Sequence, residues 1–195
     1  MNTKTIVLLG SSGVGKTCLI LRLLTERFEK RHHPTIQERV TFYPESPESP
    51  ESPEHKALEL TIIDAGDVEH YDYLVQTWMH LGDVFVLMYS CTDAGSLSTV
   101  SDLAELLHEE RPEAPFMLCS TKSDLQEANG HKLTILGQLL AQRWGVPFMQ
   151  TSSKTGESVK LCIQKCLDLE KTEKSDQDSV RVSRVSRLSR MCSLQ

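Results

Sequence analysis

No run of 18 apolar residues occurs in the 195-residue chain, so no segment of it is long and apolar enough to cross a bilayer as a helix. Its start, Met1-Asn2-Thr3-Lys4, lacks both the apolar core of a signal peptide and the second-position glycine that myristoylation needs. The six cysteines, Cys18, Cys91, Cys119, Cys162, Cys166 and Cys192, include no C-x-x-C pair. Most of them lie within apolar segments and read as reduced core thiols of a cytosolic protein, with Cys192 set apart near the end. No pattern places a third ligand beside His32-His33, which therefore read as part of an exposed loop rather than a metal site. Basic charge is scarce through Glu170, where 15 lysines and arginines face 24 aspartates and glutamates. From Lys171 onward 6 face 3. An acidic body argues against nucleic-acid binding, and a basic end argues for contact with an anionic surface. The length suits one α/β domain, residues 1–170, and a short tail, residues 171–195.

The stretch Gly10-Ser11-Ser12-Gly13-Val14-Gly15-Lys16-Thr17 fits G-x-x-x-x-G-K-[ST] in full and stands between an apolar strand, Thr5 to Leu9, and a helix from Cys18 to Leu24. It predicts a phosphate-binding loop. Its glycines let the backbone turn successive N–H groups inward onto a polyphosphate, with the positive end of the following helix behind them. Lys16 adds charge for the terminal phosphates, and the Thr17 hydroxyl is placed to hold Mg²⁺.

Five more strand-like runs follow: Arg39–Tyr43, Leu58–Asp64, Val84–Met88, Phe116–Cys119 and Val146–Met149. Helical patterns between and after them cover Glu69–Leu81, Ser96–Glu110, Leu133–Trp144 and Gly156–Leu169. Alternating β and α elements predict a mostly parallel six-stranded sheet of the P-loop NTPase type, with helices on both faces and ligands at the carboxyl ends of the strands. Alternation of Leu58, Leu60 and Ile62 delivers the Asp64 carboxylate to that edge. Trp78 and Trp144 fall on apolar helix faces, where core packing is expected. Residues 44–56 open with three tandem P-E-S triplets, Pro44 to Ser52, which have no apolar side chain to bury and predict an acidic insertion protruding from a hairpin.

Two further signals stand at strand ends. In Thr121-Lys122-Ser123-Asp124 a carboxylate can accept paired hydrogen bonds from the ring N–H and 2-amino group of guanine, groups adenine lacks, while the lysine stem covers the ring. In Thr151-Ser152-Ser153-Lys154 the Ser153 backbone N–H is placed to bind the guanine carbonyl oxygen. Each is weak alone. The ordered set is strong.

With these motifs in order, residues 4–170 resemble the Ras superfamily of small GTPases, with Rab-like features in the glycine loop and Ras-like ones in Pro34-Thr35-Ile36. The resemblance implies GTP and GDP as ligands with Mg²⁺ as cofactor. It implies that Ser12, Gly13, Val14, Gly15, Lys16, Thr17 and Cys18 wrap the phosphates and that Phe28 packs beside the base. Thr121, Lys122, Asp124, Ser152, Ser153 and Lys154 would read the guanine. Thr17, Thr35 and Asp64 would hold the metal, Gly66 would contact the γ-phosphate, and Lys16, Thr35 and Asp67 would stand at the reacting centre. One departure bears on mechanism: the family's D-T-A-G-Q-E is here Asp64-Ala65-Gly66-Asp67-Val68-Glu69, one residue shorter before Gly66 and without the glutamine that orients the attacking water. Asp67 in its place adds negative charge beside an anionic phosphate and predicts slow hydrolysis. The rival reading, from another class, is a pseudo-GTPase membrane adaptor insensitive to the nucleotide; a third, an ATP-using P-loop kinase, is disfavoured by the guanine-reading pair.

The tail repeats Arg-x-Ser from Arg181 to Ser189 and stops at Cys192-Ser193-Leu194-Gln195, a C-a-a-X pattern whose final glutamine favours farnesyl on Cys192. One lipid chain holds a membrane weakly, and four arginines supply the second signal. Ser183, Ser186 and Ser189 are candidate phosphorylation sites whose charge would oppose that attraction. The expected partners are effectors, exchange factors, GTPase-activating proteins and an anionic membrane. The expected state is a monomer at the cytosolic face of a membrane, with the plasma membrane favoured.

Overall fold

The computed structural model describes residues 2–28, 37–42, 58–66, 72–126 and 128–176. Six strands form one sheet: β1 (Asn2–Leu9), β2 (Gln37–Phe42), β3 (Leu58–Ala65), β4 (Val84–Ser90), β5 (Phe116–Thr121) and β6 (Phe148–Gln150). Their order across the sheet is β2-β3-β1-β4-β5-β6. Every neighbouring pair is parallel except β2 with β3, which pair antiparallel from Gln37↔Ala65 to Phe42↔Leu60. Five α-helices are described: α1 (Lys16–Thr25), α2 (Asp72–Leu81), α3 (Ala94–Glu110), α4 (Ala128–Trp144) and α5 (Val159–Asp176).

Strand alternation divides the buried side chains between two faces. Ile6 and Leu8 of β1, Leu60 and Ile62 of β3, and Val86 and Met88 of β4 meet Leu19 and Leu23 of α1 and Val159, Cys162 and Cys166 of α5. The next residue along each strand, such as Val7, Ile63, Phe85 and Leu118, meets Trp78 of α2, Val100 and Leu107 of α3 and Ala141 of α4. Strands covered on both faces carry near-continuous apolar runs, as β4 does. The expected doubly covered, mostly parallel sheet is thus the observed one. Trp78 is fully buried, and Trp144 stacks obliquely on Phe116 with ring centroids 6.1 Å apart.

Several boundaries differ from the sequence expectation. The last strand begins at Phe148 rather than Val146, because the Val146 N–H closes the preceding helix on the Ala141 carbonyl and Pro147 has no N–H to give a ladder. α4 starts at Ala128, five residues before the apolar pattern becomes visible, and its Gly130 presses against the Cys91 carbonyl, which a Cβ would approach to 3.2 Å. The last helix starts at Val159 and not at Gly156, because Gly156 (φ 86°) and Ser158 (φ 56°) are left-handed turn residues. It runs on to Asp176, past the expected end at Leu169. β1, β2, α1 and α3 also start earlier than their apolar patterns, since ladder and helix bonds continue into flanking polar residues. Residues 69–71 of the expected second helix and the insertion at 44–56 lie outside the described residues.

One close approach holds α4 onto the sheet. The Tyr89 hydroxyl donates to the Leu133 carbonyl at 3.1 Å, and a Cβ on Gly137, one turn on, would sit 2.1 Å from that hydroxyl oxygen. Burial pushes the Tyr89 phenol up to about 12, so the ring stays neutral at any physiological pH. In Gly137→Ala the gain in helix propensity is up to about 1 kcal/mol. The overlap with Tyr89 opposes it at about 1–3 kcal/mol. We expect the substitution to lower the melting temperature by a few degrees, roughly 2–4 °C per kcal/mol lost, in thermal unfolding followed by circular dichroism.

Candidate functional site

The parallel strands end at one edge, and the loops that leave this edge carry the sequence-predicted residues. β1 stops at Leu9, and at Gly10 the backbone passes so close to β4 that a Cβ would lie 2.2 Å from the Met88 carbonyl oxygen. Only glycine fits there. Gly13 (φ 72°) and Gly15 (φ 111°) adopt left-handed conformations, which lets the chain close into a loop before α1. Gly15 caps α1 without any side-chain hydrogen bond, and the positive end of this helix faces the loop, a setting that favours an anion. Ser12 and Gly13 form the exposed lip of the loop, while Val14 is buried beneath it.

Lys16 is buried to 7% exposure, and its ammonium donates to the Gly10 and Ser11 carbonyls at 2.6 and 2.9 Å. The cation is therefore stored inside its own loop. Next to it the Thr17 hydroxyl donates to Oδ2 of Asp64 at 2.5 Å. Asp64, one residue before the end of β3, is 1% exposed. A hydroxyl and a carboxylate are hard oxygen donors of the kind Mg²⁺ takes alongside phosphate oxygens, so the pair fits that ion. The half-buried Cys18 thiol is raised by burial, with Lys122 lowering it and Asp64 raising it, so it stays protonated and is no nucleophile. Gly66, just past β3, is buried.

The base-reading residues cluster at the ends of β5 and β6. The Thr121 side chain is buried, with Oγ1 2.6 Å from the Val14 carbonyl and 3.0 Å from the Tyr89 carbonyl. It ties the β5 turn to the phosphate loop rather than facing solvent. Lys122 follows in a left-handed conformation (φ 59°), and the Cys91 thiol bonds its carbonyl at 3.2 Å. Asp124 sits on the short turn Ser123–Leu125. Its Oδ1 accepts from the Ser152 hydroxyl at 2.6 Å, and its Oδ2 is 3.4 Å from the Lys154 ammonium. A carboxylate has about four lone-pair sites, so two more donors can be accepted. Ser152 also accepts the Thr155 N–H at 3.2 Å, which fixes the turn that holds Ser153. Phe28, three residues past α1, is 40% exposed. Thr35, Asp67 and Cys192 lie outside the described residues.

Sequence reasoning missed Arg22. Its guanidinium donates to the Glu26 carbonyl at 2.6 Å and to the Thr155 carbonyl at 3.1 Å. Gly156 beside that guanidinium takes φ 86°, a left-handed conformation that favours glycine. Glu26 in turn pairs with Lys160 at 2.6 Å, which lowers the pKa of this exposed carboxyl. The end of α1 is thereby pinned to the base-side loop. The partners are 133 positions apart, so no local pattern could show it.

A loop that offers N–H groups and a lysine to phosphates, a hydroxyl and carboxylate suited to Mg²⁺, and a carboxylate ready for two N–H donors all stand at the carboxyl edge of one parallel sheet. Those features define a phosphate-binding-loop nucleotide protein. The Ras family profile matches residues 5–171, and the chain belongs to that family of small GTPases. It is 29% identical over 156 residues to Ras-related protein Ral-a of Drosophila melanogaster, covering 79% of this chain and 74% of that one. It is likewise 29% identical over 172 residues to GTP-binding protein Di-Ras1 of Mus musculus, covering 87% and 82%.

Loss of the Thr121 hydroxyl should separate tie from contact. Thr121→Val removes about 1 kcal/mol of hydrogen bonding. It should speed release of a fluorescent guanine nucleotide about fivefold, while Thr121→Ser keeps the wild-type rate. Arg22→Ala should also speed release, by a smaller factor, because exposed pairs contribute at most about 1 kcal/mol.

Proposed function

We propose that this chain is a small GTP-binding switch carried on a prenylated basic tail, cycling between GDP and GTP forms with slow intrinsic hydrolysis. The observation that carries the nucleotide reading is the 2.6 Å contact from the Thr121 hydroxyl to the Val14 carbonyl, which joins the base-side turn to the phosphate loop. Lys16 neutralises the β- and γ-phosphates, and Thr17 and Asp64 hold Mg²⁺, with Thr35 joining them when the γ-phosphate is present. Asp124, Ser153 and Lys154 select guanine. The ion supplies the charge that steadies the leaving phosphate oxygens, and the residues supply its placement.

Slow turnover follows from the sequence Gly66-Asp67, where a carboxylate replaces the side chain that would orient water. Such a protein depends on GTPase-activating partners for turnover, on exchange factors for reloading and on effectors for output. Farnesyl on Cys192 with Arg181, Arg184, Arg187 and Arg190 places it at the cytosolic face of an anionic membrane such as the plasma membrane, each arginine contributing roughly 1 kcal/mol.

Purified protein should carry GDP or GTP, and in single-turnover assays it should hydrolyse GTP more slowly than Ras proteins with the usual glutamine. Asp67→Gln should raise the rate on the order of tenfold, about 1.4 kcal/mol of barrier. Bound ATP in place of guanine nucleotide would overturn the reading. Identical effector-loop dynamics in the GTP-loaded and GDP-loaded forms would make the chain an adaptor instead of a switch. In cells, aspartate at Ser183, Ser186 and Ser189 together should shift the protein from membrane to soluble fractions; unchanged partitioning would remove phosphorylation as the release signal.

A further inference from the structure

Of the eight large apolar side chains exposed among the described residues, four lie close together in the chain. Leu125, Ile135, Leu136 and Leu139, on α4 or just before it, are each between 46 and 55% exposed. Two of them, Leu136 and Leu139, line a groove of about 450 Å³ between α3 and α4, whose walls also include Leu97, Ser98, Leu140 and Arg143. The lining is mostly aliphatic, with Ser98, Ser101 and Arg143 as its polar members and no aromatic ring. Such a surface suits flexible aliphatic side chains better than a flat ring.

The charge around the groove is one-sided on α3. Ser98 and Ser101 line it, and the three- and four-residue spacing of the helix continues the same face through Asp102, Glu105 and Glu109. All three carboxylates are exposed. A second copy related by a two-fold axis would bring these acidic faces toward one another, so the charge argues against self-association there.

The chain itself holds a segment with the opposite pattern. From Arg181 to Met191 it repeats arginine, aliphatic residue and serine, so that Arg181, Arg184, Arg187 and Arg190 are each followed by Val182, Val185, Leu188 and Met191. α5 covers the sheet face opposite the groove, but it ends at the same edge of the sheet as α3 and α4. α3 and α4 each lead from the carboxyl end of one parallel strand to the amino end of the next, so Glu110 and Trp144 lie at the amino edge of the sheet. α5 runs the same way, since its Cys166 touches Met117 early in β5. Its last described residue, Asp176, therefore points toward that edge too. Twelve residues separate Asp176 from Leu188. They span up to about 40 Å, comparable with the roughly 40 Å width of a domain this size.

We propose that residues 181–191 fold back into the α3–α4 groove, with Val185 and Leu188 against its leucines and the arginines against Asp102, Glu105 and Glu109. The tail then exchanges between this groove and an anionic membrane. Tethering sets an effective concentration in the millimolar range, so even weak docking is populated. The groove half of this inference does not depend on which nucleotide is bound.

The test uses the full chain prepared without lipid and carrying Ser186→benzoylphenylalanine. On irradiation, crosslinks should form within single chains to residues 94–111 or 131–143. They should be lost in Leu136→Asp/Leu139→Asp and in Asp102→Lys/Glu105→Lys, both of which alter exposed positions and should leave the melting temperature unchanged. Crosslinks between chains, crosslinks to other regions, or crosslinks that survive both pairs of substitutions overturn the proposal. A second arm measures sedimentation with vesicles of phosphatidylcholine and phosphatidylserine. If the tail is docked four-fifths of the time, the leucine pair variant should bind about fivefold more tightly than the unsubstituted chain. Equal binding overturns the proposal.

Discussion

The contact on which the site depends is the short hydrogen bond between the Thr121 hydroxyl and the Val14 carbonyl, with the Tyr89 carbonyl on its other side. From the last residue of β5, this one buried hydroxyl reaches both the loop that follows β1 and the backbone near the end of β4. Loops are ordinarily the mobile part of an α/β fold. Here their relative positions are held by a group that is 4% exposed, where competition from water is weak. A nucleotide that spans from the phosphate loop to the base-side turn needs that distance held constant.

The same economy appears at the other strand ends. Asp124 is oriented by Ser152 and Lys154, Ser152 is oriented by the Thr155 N–H, and Thr155 is held by Arg22. Lys16 and Thr17 likewise occupy positions in which their donors are already engaged, on the loop carbonyls and on Asp64. Side chains already held in place have less ordering entropy to lose on binding a ligand. In this family phosphoryl transfer works through positioning and charge, and Lys16, Thr17 and Asp64 stand on the first helix and the third strand.

The acidic body and basic end give the chain a charge asymmetry that runs along its length. On the folded domain part of it becomes local: Asp102, Glu105 and Glu109 share one face of α3, beside the leucines of α4. Under the proposed docking, that face and a lipid surface are alternative anionic partners for the arginine-rich end.

The strands, the phosphate loop and the alternation that makes a parallel sheet were legible because they are local: a run of apolar residues, the glycines of the phosphate loop and a period of two or of about 3.6 residues leave marks within a short window. The identities of Lys16, Thr17, Asp64, Asp124 and Ser152 were readable for the same reason, as motifs of fixed spacing. Boundaries were less so, since Pro147 and Gly156 shift the last strand and last helix through hydrogen bonds that close elsewhere. Only the tertiary structure could decide that Thr121 acts as a tie, that Arg22 clasps Thr155, that Gly137 is a glycine for the sake of Tyr89 and that four leucine and isoleucine side chains at α4 remain uncovered. Each of those depends on a contact, or the lack of one, between segments distant in the chain, and chain separation leaves no periodic trace in the amino-acid order.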